Sequence, residues 1–241
     1  MKVSIVVENL NDMRLGAFLI FAASVWSCAA DSNNEISVFN SLYNFEESDF
    51  DWAGGAADYD VKDSANVKFD FAYGSVPETL APVQRSLRLS GNNNGDYLTM
   101  FVKKQITGLK PQTGYRLAFD IELACDADDT AANAIILKAG ATTTEPGVVK
   151  GTEQFRLTVD KGPYAESGDD MIVIDTVLVN ATTDEYGVTQ SGDAPSKYLY
   201  VNAQSDNAGS LWVIIATESP GKGRSTVYYS KVGITFSAPN H

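Results

Sequence analysis

The sequence predicts an all-β fold, an antiparallel β-sandwich with jelly-roll wiring. Three observations predict it. Apolar and polar residues alternate with the two-residue period of half-buried strands, clusters of Gly, Pro, Asn and Asp separate the alternating runs, and no long stretch carries the period of about 3.6 residues that marks a helix. Without helices between the strands, parallel α/β architectures are set aside. Many strands with long polar connections instead favour two sheets packed face to face.

Strand candidates follow in order over 36–45 and over 67–71, where Val67, Phe69 and Phe71 interleave with Lys68 and Asp70. Next come 85–90, 97–106 and the clearest run, Tyr115, Leu117, Phe119, Ile121 and Leu123. After 134–139, Phe155, Leu157 and Val159 alternate with Arg156 and Thr158, and 171–179, 198–203, 210–217 and 226–236 complete the set. In the last run Val227 and Tyr229 are apolar at odd positions, whereas Val232, Ile234 and Phe236 are apolar at even ones. An extra residue near Ser230 and Lys231, a β-bulge, would produce that change of parity. The polar segment 181–196 reads as a long surface loop and 140–152 as a second one, while Asn92, Asn93, Asn94 and Gly95 read as a hairpin turn.

Ahead of the strands, Arg14 precedes an apolar run over 15–27 that ends in Val25, Trp26, Ser27 and Cys28. The run is far shorter than the ~20 apolar residues of a spanning helix. With a basic residue before it and small Ser27 next to the cysteine, it resembles a bacterial lipoprotein signal. The resemblance implies that 1–27 is a cleaved signal peptide, that Cys28 carries lipid, and that the protein is anchored to the membrane at the cell envelope, in the outer membrane, facing periplasm or exterior. Residues 28–35, with Asp31, Asn33 and Glu35, form a polar tether, and 36–241 form one β-sandwich domain. Glu8 and Asp12 are unusual in such a leader, and Met13 followed by Arg14 offers a second start.

The formal net charge is −13, and removing 1–27 leaves it unchanged, because Lys2 and Arg14 go together with Glu8 and Asp12. Nucleic acid is therefore not an expected partner, since phosphate backbones are held by Lys and Arg. The same field favours cations and tolerates neutral polymers, and it also serves solubility alone. With Cys28 committed to lipid, Cys125 has no disulfide partner and reads as a small buried residue near a strand end. The one histidine is His241, the last residue, so no Ser-His-Asp or Cys-His device and no histidine-ligated zinc site is expected. No residue is assigned a catalytic role, and the chain is read as a non-enzyme.

Asn44-Phe45-Glu46 followed by Trp52, then Ile106-Thr107-Gly108-Leu109-Lys110-Pro111 leading into Tyr115-Arg116-Leu117-Ala118-Phe119-Asp120, resembles a galactose-binding-like jelly roll. More narrowly it is similar to the carbohydrate-binding modules appended to xylanases, while 125–225 matches nothing in that pattern. The resemblance implies a glycan or polysaccharide partner. It also implies a structural calcium held by an early acidic residue and a second on the last strand. Glu46 fills the first position, but Ser230 and Lys231 stand where the acidic pair belongs, and calcium needs several anionic oxygens.

Glycan binding needs flat rings for sugar faces and amides or carboxylates for hydroxyls. Rings are supplied by Trp52, Tyr59, Tyr73, Tyr97, Tyr164, Tyr186 and Trp212, and polar groups by Asn92, Asn93, Asn94 and Asp96. Trp212 lies in a continuous apolar run and reads as packed; Trp52, beside Gly54 and Gly55, reads as exposed. The candidate ligand set is therefore Trp52, Tyr59, Tyr97, Asn92 and Asn94. Two enzyme patterns compete with it. Asp120 and Glu122 echo the strand carboxylates of jelly-roll glucanases but with Ala118 in the first place, and they read as a solvated face. Arg85, Arg88, Gln105 and Lys138 faintly resemble jelly-roll alginate lyases, with Thr107 where the catalytic histidine belongs. Acidic stretches at 126–129 and 169–170 read as loops, not chelators. The leading expectation is a non-catalytic glycan-binding envelope lipoprotein. A structural or protein-partner-binding envelope protein comes second, and a glycan-cleaving enzyme third.

Overall fold

The computed structural model describes residues 36–78, 83–95, 97–127, 134–178, 187–190 and 200–239. The expected signal peptide (1–27), Cys28 and the expected tether (28–35) lie outside the described residues, as do Asp96, Tyr186 and His241. In chain order the elements are β1 (Ile36–Asn44), β2 (Ala53–Ala57), β3 (Tyr59–Asp60), a 3-10 turn (Val61–Asp63), α1 (Ser64–Val67), β4 (Asp70–Ser75), β5 (Arg85–Asn93), β6 (Leu98–Ile106) and β7 (Gly114–Ala127). They continue with β8 (Ala134–Thr142), β9 (Val148–Lys150), β10 (Gln154–Leu157), β11 (Met171–Leu178), β12 (Gly187–Gln190), β13 (Val201–Gln204), β14 (Leu211–Ser219) and β15 (Gly223–Pro239).

Among the described residues these strands form two antiparallel sheets and one small sheet. The first sheet runs β12-β7-β15-β5-β4, with β1 on the far half of β15 and β13 on β7; the second runs β11-β8-β14-β6-β2. The chain crosses between the sheets at β1–β2, β5–β6, β6–β7, β7–β8, β11–β12, β13–β14 and β14–β15, which is jelly-roll wiring. Between the sheets lies one core, with Leu87, Leu117, Val227 and Phe236 from the first meeting Leu98, Val102, Leu137 and Val213 from the second. Alternation decides who faces it: Tyr115, Leu117, Ile121 and Leu123 are buried, while Asp120 on the opposite face is exposed.

The change of parity in the last strand is a bulge. Pairing of β15 with β7 shifts register between Tyr229 and Lys231. The freed Ser230 carbonyl accepts the Phe45 N–H at 2.9 Å. Four expectations are corrected. Val67 closes the short helix α1 instead of opening a strand, because Lys68 turns the backbone into the left-handed region at φ 44°. Part of the 181–196 loop is β12, paired with β7 over Gly187–Gln190. Within 140–152, β8 runs on to Thr142 and β9 occupies Val148–Lys150. Trp212 is only partly buried, on the outer face of the second sheet under the Lys103 ammonium. Its run is apolar on both faces because Leu211, Val213 and Ile215 enter the main core, whereas Ile214 and Ala216 meet Phe101, Val159 and Met171 on the outside.

Strand β2, of sequence AGGAA, has no side chain that favours a strand, and neighbouring rings explain why. A Cβ at Gly54 would stand 2.4 Å from Phe71, and one at Gly55 would stand 2.4 Å from Phe101. Gly55→Val is expected to cost about 1–3 kcal/mol by overpacking, read as a lower denaturation midpoint at unchanged slope.

Candidate functional site

At one end of the sandwich the turn between β5 and β6, the corner between β2 and β3, and β10 enclose a cavity of about 290 Å³. Tyr59, Tyr97, Asn94, Asp60, Lys62 and Gln154 line it, and Asp58 forms part of the wall. Three residues of the expected ligand set, Tyr59, Tyr97 and Asn94, are thus brought together from positions far apart in sequence. Each tyrosine is held by a second ring. Tyr59 stacks on its cross-strand partner Phe155 (centroids 4.9 Å, planes 26° apart), and Tyr97 stacks on Tyr164 (5.8 Å, 30°).

The asparagines divide their tasks. Asn93 is buried and closes the turn: its amide donates to the Ser219 carbonyl at 2.9 Å and its oxygen accepts the Gly95 N–H at 3.0 Å. Asn92 ties the turn to α1 by donating to the Asn66 carbonyl at 3.1 Å, and it does not line the cavity. Asn94 donates to the Asn92 carbonyl at 3.3 Å and lines the cavity. Across from it, Asp60 pairs with the Lys62 ammonium at 2.9 Å and accepts from the Gln154 amide at 3.4 Å. The hydrogen bond from Lys62, then that from Gln154, holds the Asp60 carboxyl below its ordinary value. Burial pushes the Tyr59 hydroxyl up, so it stays a neutral donor and acceptor.

Behind the cavity lies a cluster that single-residue reading misses. Lys138 on β8 and Glu218 on β14 are both fully buried on the outer face of the second sheet. The Glu218 carboxylate accepts from the Lys138 ammonium at 3.0 Å, the Lys161 ammonium at 2.5 Å and the Ala165 N–H at 3.3 Å. Lys138 also donates to the carbonyls of Lys161 (2.9 Å) and Pro163 (2.8 Å). Lys161 reaches Asp58 at 3.3 Å, and Asp58 in turn accepts from Thr99 at 2.6 Å. The Lys161 ammonium also stands 5.3 Å from the Tyr97 ring centroid. Burial drives the Lys138 ammonium downward against the pull of Glu218. For Lys161 burial acts the same way, but Glu218 and Asp58 outweigh it and its value ends raised. A signal was present in the sequence: Lys138 and Glu218 are opposite charges in two apolar strands. Register confirms the pairing, since Lys138 faces Ala216, two residues from Glu218.

The other expected site residues stand apart. Trp52 is corrected: it is 3% exposed and packs edge-on against Tyr43 and Phe45. Phe50 and Asp51, at φ 49° and 57°, turn the chain so that the indole enters the core, and the acidic neighbours serve that turn, with Asp49 accepting the Asp51 N–H at 3.3 Å. Glu46 accepts the Gln84 N–H at 3.2 Å and shares a pocket with Glu122, Ser230 and Lys231. Two carboxylates beside an ammonium do not fit calcium, and among the described residues no three His, Cys, Asp or Glu side chains gather as a metal site. Adding a chelator is therefore expected to leave the melting temperature unchanged, whereas an ion held by the folded state would make it fall.

The enzyme-like patterns do not converge. Asp120 is exposed on the outer face of the first sheet, 3.7 Å from Lys231. Arg88 pairs with Asp70 and Arg85 covers the Tyr73 ring, both on the first sheet, while Lys138 is buried on the second. Cys125 is fully buried within β7.

No family model matches the sequence, and no curated protein matches it. Among solved structures, the chain is similar to a carbohydrate-binding module that recognises mannan, TmCBM27, at 9% identity and a TM-score of 0.39 over 86% of this chain and 99% of that one. It is also similar to the CBM22-1–GH10 modules of a Clostridium thermocellum endo-1,4-β-D-xylanase complexed with xylohexaose, at 10% identity and 0.35, over 79% and 26%. A third is the cleaved adhesin domain of Lys-gingipain from Porphyromonas gingivalis, at 11% identity and 0.36, over 84% and 99%.

Proposed function

We propose that this chain is a non-catalytic glycan-binding β-sandwich, tethered to the bacterial cell envelope through lipid on Cys28. The observation that carries the binding reading is the cavity walled by Tyr59 and Tyr97. Within about 290 Å³ it sets two ring-supported tyrosines beside the amides of Asn94 and Gln154 and the carboxylate of Asp60. A sugar ring has apolar C–H faces and hydroxyl edges, and such a wall offers partners to both. Proton transfer has no comparable support. Asp60 is paired with Lys62, and Lys138 and Glu218 are spent on each other and on backbone groups.

Affinity electrophoresis with galactomannan, xylan, polygalacturonate and alginate tests the reading. At least one polymer is expected to retard the domain, and Tyr97→Ala to weaken that retardation about 5-fold, since stacking on one ring contributes on the order of 1 kcal/mol. Uniform failure to retard the wild type would reject it. The anchor is supported by the run that ends at Cys28, and mass spectrometry of the mature terminus checks it by an acylated cysteine. A protein partner is the second reading, favoured by β1. That strand pairs only with β15 among the described residues and leaves Val38 56% and Leu42 62% exposed.

A further inference from the structure

We propose that Lys138, Glu218 and Lys161 are positioning residues that hold the two tyrosine walls of the cavity at a fixed spacing. This rests on the reading of the cavity as the ligand site. All three side chains lie behind the cavity and do not line it. Their contacts run to both walls. On one side, Lys138 fixes the carbonyls of Lys161 and Pro163, and Glu218 fixes the Ala165 N–H, so the backbone on either side of Tyr164 is clamped to the second sheet. Tyr164 is the ring on which Tyr97 stacks. On the other side, Lys161 joins Glu218 to Asp58, the residue immediately before Tyr59.

The backbone shows how closely this region is specified. Asp58 and Ala165 both adopt the left-handed conformation, at φ 62° and 58°. A Cβ on Gly162 would stand 2.5 Å from the Ser167 backbone, and one on Gly168 would stand 2.3 Å from the Gly162 nitrogen. Such conformations persist where the surroundings over-determine them. A buried ionic cluster is also a poor way to gain stability, because well-packed apolar residues in its place are often as good or better. Its position behind a cavity is therefore better explained by orientation than by fold stability.

The distinguishing variant is the triple replacement Lys138→Met, Lys161→Met and Glu218→Leu in the full chain. It is expected to fold with a melting temperature equal to or above that of the wild type. Amide exchange over 158–166 should accelerate at least 10-fold, the near-ultraviolet tyrosine signal should change, and retardation by the polymer that binds the wild type should weaken about 10-fold. Should the triple variant not fold, Lys161→Met is expected to show the same changes in smaller measure, with Lys161→Arg restoring them. Unchanged exchange and tyrosine signal overturn the inference, and so does unchanged retardation in a variant whose loop has loosened. If none of galactomannan, xylan, polygalacturonate and alginate retards the wild type, the glycan reading fails, and exchange with the tyrosine signal decides the positioning claim by itself.

Discussion

Glu218→Gln lowers stability by about 3–5 kcal/mol, the cost of leaving buried charge uncompensated. The wild-type carboxylate is fully buried and serves two ammonium groups and a backbone N–H at once. An amide keeps the shape but loses the charge, so Lys138, with no exposure of its own, retains only carbonyl oxygens. The melting temperature should fall by roughly 10 °C in a domain of this size. Chemical denaturation followed by circular dichroism reads the effect directly, and a loss below about 1 kcal/mol would show that water reaches the cluster. The same change on a surface pair such as Lys62 with Asp60, whose side chains are 77% and 34% exposed, should be near neutral.

Trp52→Ala costs a further, independent amount of about 3–5 kcal/mol, as expected when a large aromatic leaves a packed core. Trp52 is 3% exposed, flanked by Tyr43 at 5.4 Å and Phe45 at 6.1 Å between centroids, and Phe45 is itself fully buried. Its indole nitrogen is buried with no hydrogen-bond partner among the described residues. Trp52→Phe therefore removes no hydrogen bond and should recover most of the lost stability. Both variants that fold should bind ligand as the wild type does. A Trp52→Phe protein of normal stability that has lost glycan retention would return the indole to the site.

Much of this molecule is legible in the sequence wherever one residue type at one spacing carries the information. The parity change around Ser230 is such a case: Tyr229 and Val232 are both core residues, and only a bulge lets both face inward. Tyr59, Tyr97 and Asn94 are legible as rings and an amide beside turns. What stays hidden depends on neighbours that sequence order does not bring close. Strand β2 looks like a loop until Phe71 and Phe101 are seen to occupy the space its side chains would need. Trp52 looks exposed beside Gly54 and Gly55, and only the two consecutive left-handed residues ahead of it, Phe50 and Asp51, turn it into the core. Lys138 and Glu218 are charges in two separate apolar strands, and only the register of β8 and β14 sets them on one face as mutual counterions.

The central claim is that a glycan sits between Tyr59 and Tyr97, and chemical-shift mapping on the isotope-labelled domain, titrated with oligosaccharide from the polymer that retards it, tests this most directly. Shifts are expected to concentrate at Asp58–Asp60, Asn94, Tyr97 and Gln154, with loss of the pattern in Tyr97→Ala. Shifts gathered instead on the outer face of the first sheet, around Arg116 and Tyr200, with the cavity silent, would contradict it.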